Sequence, residues 1–200
     1  MTERRKWTAI PGLIALAAAA VVLSAYSGAS SSQNNSPVQP IAFPHPLHAA
    51  GNLNMNCLYC HNTANKSPDP GMPAVSTCMG CHLIARADRP EVQKLNRYYA
   101  AGHGKPIPWV RIHKLPEYVR FPHMRHVNAG VTCQTCHGPV PEMQRVYQYA
   151  SLNMGWCVNC HVKGYNLADG LLAAGDTAGA RAAGNVEPKK ARYDCAVCHY

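Results

Sequence analysis

The chain has 200 residues and is 47% hydrophobic by residue type, yet Ala and ten Cys supply much of that fraction and only two Phe and three Trp are present. With 14% charged residues, 16 Pro and 15 Gly, it is a poor candidate for a self-packed globule of long helices or sheets. Low charge per residue and ten Tyr set it apart from a disordered chain as well, so something besides side chains has to fill the interior of its one or two small domains.

The first predicted element is a membrane anchor over residues 1–27. Thr2-Glu3-Arg4-Arg5-Lys6 precedes a stretch free of Asp, Glu, Lys and Arg from Trp7 to Asn65. Its apolar part, Ile10 to Tyr26, approaches a bilayer span of about 20 residues with its flanks. Trp7 and Tyr26 would stand about 28 Å apart on a helix, a spacing suited to the two interfaces. Arg4, Arg5 and Lys6 would stay in the cytoplasm and send the remainder outside. Pro11-Gly12 is expected in a first helical turn or against a partner helix, and the Ala17–Ala20 run suits close packing against other membrane helices. The competing reading is a cleaved signal peptide ending near Ser27-Gly28-Ala29.

Residues 28–42, rich in Ser, Asn, Gln and Pro, read as an extended linker. A cassette follows over 43–90. Phe43-Pro44-His45-Pro46-Leu47-His48 leads to Cys57-Leu58-Tyr59-Cys60-His61, then to Cys78-Met79-Gly80-Cys81-His82. In the connecting region, 91–120, Glu91 to Ala101 reads as a short helix with Val92, Leu95 and Tyr98 on one face, ended by Gly102 and Gly104. The cassette then repeats over 121–162. Phe121-Pro122-His123-Met124-Arg125-His126 leads to Cys133-Gln134-Thr135-Cys136-His137 and Cys157-Val158-Asn159-Cys160-His161. Between those two motifs Glu142 to Leu152 is expected to be helical. Residues 163–200 comprise an Ala/Gly-rich, chemically silent stretch and a fifth motif, Cys195-Ala196-Val197-Cys198-His199.

All ten Cys thus fall into five copies of Cys-x-x-Cys-His, the attachment pattern of c-type haem. Two thiols form thioethers to the porphyrin vinyl groups and aim the adjacent His at the iron. Zinc knuckles, disulfides and redox Cys-x-x-Cys sites do not require His directly after the second Cys. With 11 His in 200 residues, five such placements by chance are roughly a one-in-a-million event. The expectation is five covalent haem c groups that themselves form the core. The formal charge of +9 then argues little for nucleic acid. Each ferric haem contributes about −1 and each ferrous haem about −2, giving roughly +4 oxidised and −1 reduced. Lys and Arg are expected as propionate partners and docking residues.

The proximal iron ligands are His61, His82, His137, His161 and His199. Six further His remain for five distal positions. His103, between two glycines, is set aside as a loop residue, leaving His45, His48, His113, His123 and His126. Two His three residues apart share a face of one helical turn and can each reach a different iron. Met143 and Met154 are the alternative distal ligands, with Met55 and Met72 behind them; a thioether raises the reduction potential relative to imidazole.

The run from Pro106-Ile107-Pro108-Trp109 through His113-Lys114-Leu115-Pro116 to the second Phe-Pro-His-x-x-His, with Val131-Thr132-Cys133-Gln134-Thr135-Cys136-His137-Gly138 and Leu152-Asn153-Met154-Gly155-Trp156-Cys157, resembles the pentahaem subunit of alternative complex III. The resemblance covers roughly residues 40–162 and the anchor. It implies a mostly coil, short-helix multihaem cytochrome of the c3/c7 type with one N-terminal transmembrane helix. It further implies a non-catalytic wire taking electrons from membrane quinol oxidation to a periplasmic copper protein, a cytochrome c or an oxidase. The implied partners are an integral membrane quinol-binding subunit, a monohaem cytochrome c and an iron–sulfur subunit, with the haem domain outside the cell membrane. The Ala/Gly-rich stretch before Cys195 departs from the pattern.

Three other readings compete. One is a self-contained anchored quinol dehydrogenase, which would carry Met where this chain has Ala64. A second is the cytochrome subunit of a quinone-reducing complex, with current reversed. A third is a multihaem reductase, which would need an open iron, often at a Cys-x-x-Cys-Lys motif; all five motifs here end in His.

Overall fold

The computed structural model describes residues 3–26, with side chains from 10 to 22, and then 32–100, 105–184 except 174, and 187–200. His103 and Ser27-Gly28-Ala29 lie outside the described residues. Helix α1 spans Glu3–Tyr26, and its described side chains, Ile10 to Val22, are all exposed. Among the described residues no helix is long and apolar enough to cross a membrane. Because α1 starts at Glu3, Pro11 sits inside the helix and not in its first turn, where it costs one backbone hydrogen bond.

The rest is short helices joined by irregular chain, and no strand forms among the described residues. The helices are α2 (His45–Ala49), α3 (Cys57–Cys60), α4 (Val75–His82), α5 (Pro90–Ala100), α6 (His123–Asn128) and α7 (Cys133–His137). After them come a 3₁₀ turn at Val140–Glu142, then α8 (Met154–Lys163), α9 (Leu167–Ala173), α10 (Thr177–Ala183) and α11 (Cys195–Cys198). Isolated bridges pair Val119 with His199 and Tyr165 with Lys189. Each attachment motif lies on a helix, inside α8 for the fourth and at a helix start or end for the others, which brings two Cys three apart onto one face.

The side-chain core is small: Ile41, Val75, Met79, Leu95 and Ile107, with Cys78, Tyr98 and Trp109 against it. It lies where α4 meets α5. The expected helix at 91–101 is therefore found as α5, with Leu95 its buried residue.

The helix expected over Glu142 to Leu152 does not form. Only its first residue is helical, in the 3₁₀ turn, and α8 waits until Met154, where the Asn153 side chain accepts from the Trp156 N–H at 2.8 Å. The backbone between is committed elsewhere. The Asn34 N–H donates to the Gln148 carbonyl (2.8 Å) and the Gln148 N–H to that of Asn35 (3.1 Å). Residues 32–42, a turn at 32–34 followed by irregular chain, are thus strapped down. The Ser36 hydroxyl donates to Val146 O and the Gln33 amide to Tyr149 O. Gln39 exchanges two bonds with Val110, and Glu91 accepts from the Ala42 N–H at 2.7 Å. The Ala/Gly-rich stretch packs as a pair, α9 against α10, with α9 also against α7. Gly170 lets Tyr165 pass, since a Cβ there would meet the Tyr165 hydroxyl, and that hydroxyl accepts from the Thr132 N–H at 3.1 Å.

Candidate functional site: paired imidazoles along five cysteine motifs

The two Phe-Pro-His-x-x-His segments repeat in three dimensions. Pro44 and Pro122 cap α2 and α6 with similar backbone angles, φ −85°, ψ 110° and φ −78°, ψ 94°. Phe43 stacks on His48 at 4.4 Å and 24°, and Phe121 on His126 at 4.4 Å and 27°. His48 Nδ1 lies 3.2 Å from Pro44 O, and His126 Nδ1 lies 3.3 Å from Pro122 O. Each second His is thus held by the ring and the carbonyl of its own motif, which leaves Nε2 free.

Those free edges face other motifs. His48 and His82 have ring centres 6.1 Å apart, His126 and His161 are 6.1 Å apart, and His123 and His137 are 6.3 Å apart. Two imidazoles on opposite faces of one metal ion, with metal–nitrogen bonds of about 2 Å, place their ring centres about 6 Å apart. In each cassette the second His therefore faces the second Cys-x-x-Cys-His. In the second cassette the first His faces the first motif, and in the first cassette His45 lies beside His61, whose charge helps hold its pKa near 4 after the larger effect of burial. His113 is 4.3 Å from His137, closer than that span. His199 stacks on Tyr118 at 5.8 Å. Met143 is buried and Met154 exposed.

Carbonyls also hold Nδ1 of His82 (Ala85 O, 2.9 Å), His123 (Ala64 O, 2.9 Å) and His161 (Arg192 O, 2.6 Å). This is the outer-shell bond that fixes a ligating imidazole's tautomer and plane. Burial favours the neutral form of four of the imidazoles. It lowers the pKa of His61, His113 and His126 and brings His137 down to about 3, with the neighbouring imidazole charges adding to the effect at His137. His45 Nδ1 and His113 Nε2 are buried polar atoms with no hydrogen-bond partner among the described residues.

The ten thiols form no disulfide, and no three His, Cys, Asp or Glu side chains among the described residues converge as a metal cage. A cleft of about 530 Å³ opens beside Thr135 and Trp156, walled by Tyr147, Tyr149 and the strap. Paired neutral imidazoles, free thiol pairs and orphaned ring nitrogens fit haem c and do not fit zinc.

The comparisons with known proteins agree. Residues 119–200 match the family described as cytochrome c7 and related cytochrome c. The chain carries a c7-like multihaem cytochrome domain. Over 143 residues, 62% of this chain and 67% of the other, the chain is 25% identical to a protein of Nitratidesulfovibrio vulgaris named menaquinone reductase, multiheme cytochrome c subunit.

The five motifs also stand in a definite spatial order. Cys60 feels the Cys81 thiol, and Cys78 feels Cys60, so the first motif neighbours the second; burial raises both pKa values, with these thiols adding to the rise. The Cys57 and Cys133 thiols hydrogen-bond, drawing Cys57 down to about 6 and pushing Cys133 up, which sets the first motif against the third. Backbone bonds support that contact: the N–H groups of His123 and Met124 donate to Pro68 O (3.0 Å) and Ser67 O (3.2 Å). Cys136, pushed up to about 12 by burial and then by the Cys160 and Cys157 thiols, joins the third motif to the fourth. Cys157 feels Cys198, and the 191–192 backbone bonds to His161, joining the fourth to the fifth. The series runs 2–1–3–4–5. Cys81 and Cys195, one at each end, are the exposed cysteines.

Sequence reasoning named the Cys and His as candidates and missed the strap, the stacked Phe and this order. The Phe were legible as part of a repeat, but only the fold shows what they touch.

Proposed function

We propose that the chain is a pentahaem electron-transfer subunit of a membrane quinol-oxidising complex, with residues 32–200 on the extracytoplasmic side and α1, whose described residues do not amount to a membrane span, as the element that attaches it to the membrane part. The observation that carries the reading is the twice-built cassette, whose second His in each copy faces the second motif at 6.1 Å. When bound, haem c supplies one-electron iron chemistry. The chain's own part is to hold and space it. The ten motif Cys provide thioether attachment. His61, His82, His137, His161 and His199 serve as proximal ligands, and His45, His48, His123 and His126 face the first four of them. Two imidazoles at each of the first four irons would leave no open position there for substrate, which supports electron transfer over catalysis. Contacts between successive motifs keep every transfer distance short. The integral membrane quinol site, the monohaem cytochrome, the iron–sulfur subunit and the soluble acceptor belong to the same proposal.

A second reading runs the current toward quinone. It is favoured by the name of the Nitratidesulfovibrio protein, a menaquinone reductase subunit, and shares the same site.

Mass spectrometry of the purified chain, with low-temperature EPR and a redox titration of the complex that contains it, tests the proposal. The expected result is five covalent haems, low-spin signals and reduction of the chain by added quinol. A high-spin haem that binds external ligands would replace it with a reductase. Oxidation by menaquinone, without reduction by quinol, would favour the reversed current.

A further inference from the structure

The run from Pro116 to His126 joins the fifth motif to the second cassette. A turn closes where the Val119 N–H donates to Pro116 O at 2.9 Å, and Val119 then pairs with His199 in an antiparallel bridge. The Arg120 N–H donates to Cys198 O at 2.7 Å, and the Tyr200 N–H to Tyr118 O at 3.4 Å. The Arg120 guanidinium, 4.7 Å over the Tyr200 ring, adds a side-chain contact to the same clamp. Held this way, the Tyr118 ring lies against the His199 imidazole with centres 5.8 Å apart and planes at 24°. Three residues on, Phe121 stacks on His126 at 27°, as Phe43 does on His48 at 24°. The fifth motif has no Phe-Pro-His-x-x-His segment of its own. The fold nevertheless brings an aromatic ring to its imidazole at the same angle, from a distant part of the chain.

We propose that Tyr118 is the positioning residue of the fifth centre, its ring setting the plane of the His199 imidazole and with it the spectrum and potential of the fifth haem. The proposal rests on the pentahaem reading. A ligating imidazole can turn about its metal–nitrogen bond unless a neighbouring group holds it, and such neighbours tune the metal as well. For His48, His82, His123, His126 and His161 a backbone carbonyl lies on Nδ1. At His199 the neighbour is a ring. Its distance and angle fall in the offset-stacked range, and turning the imidazole out of plane would break the contact. The ring also covers one face of the imidazole. Less water there favours the ferrous iron, because the ferric ion carries the greater charge and loses more on desolvation.

The test uses the purified complex with substituted subunits, read by intact mass, low-temperature EPR and a spectroscopic redox titration. Tyr118→Ala removes the ring, and Tyr118→Leu keeps bulk without a flat face. Both should shift one haem's EPR signal and lower the midpoint of that same haem, with the other four unmoved. Tyr118→Phe should restore the original signal and midpoint. Tyr193→Ala removes another exposed tyrosine, two residues before Cys195, and should change neither. His199→Met keeps both thioethers and exchanges the iron ligand, so the signal it alters is the fifth haem's. Unchanged signals in both the Ala and Leu variants, an equal shift of all five haems, or a shift in a haem other than the fifth would overturn the assignment. So would Tyr118→Phe behaving like Tyr118→Ala, which gives the effect to the hydroxyl. Intact mass of the unsubstituted subunit separates this from the wider reading. Fewer than five haems, with one still on Cys195 and Cys198, would end the pentahaem reading and leave the Tyr118 assignment standing; free Cys195 and Cys198 would end both.

Discussion

Phe43 and Phe121 do for the His48 and His126 imidazoles what a carbonyl alone cannot. A single Nδ1–H bond fixes a tautomer but leaves the ring free to rock; a stacked phenyl at 4.4 Å restricts that motion on one side. The same scale separates two candidates for one position. His123 lies 6.3 Å and His113 4.3 Å from His137, and only the first fits a shared iron. His123→Ala should therefore turn one low-spin haem high-spin by EPR, whereas His113→Ala should leave the third motif's haem low-spin; the reverse pattern would exchange their roles. Gln148 is fully buried, and its amide donates to Ala150 O (3.1 Å) and Ser151 O (3.3 Å). Gln148→Leu strands both carbonyls in a dry site and should cost about 1–3 kcal/mol, read as a lower urea midpoint at constant m-value.

Among the elements, legibility followed the reach of the forces involved. The α5 helix was readable because its signal is local: Leu95 and its neighbours repeat at helical spacing, and Glu91 pairs with Lys94 three residues on. Both cassettes were readable because covalent haem attachment demands fixed spacing. Residues 143–153 misled because their backbone partners lie more than 100 residues away, in 33–36, and no local pattern announces a strap. Likewise the polar composition of 28–42 suggested a spacer, although Gln33, Ser36 and Gln39 spend their side chains on Tyr149, Val146 and Val110. The candidate site was legible as a set of residues. Which His faces which motif required the fold.

For the molecule as a whole, the small aliphatic core and the neutral imidazoles set the stability profile. His45 and His137 are held near 4 and 3, chiefly by burial, and His61, His113 and His126 are lowered too. The unfolded chain, with imidazoles near 6.5, binds more protons below that pH than the folded one. Stability is therefore greatest above pH 6.5, declines on acidification, and stops declining from this cause below about 3. Circular dichroism melts at stepped pH should show the melting temperature dropping between pH 6.5 and 4. A flat profile there would mean the imidazoles are accessible to protons in the fold.

The strap has a mechanical consequence. Helix α1 ends at Tyr26 and residues 32–42 are already bonded along the haem-bearing region. The few residues between can reach no more than about 20 Å even when stretched. With α1 held at the membrane, as proposed, the domain has too little line to swing between a donor and an acceptor: it is a fixed pier, and any traffic across it must be carried by the partners that arrive and depart.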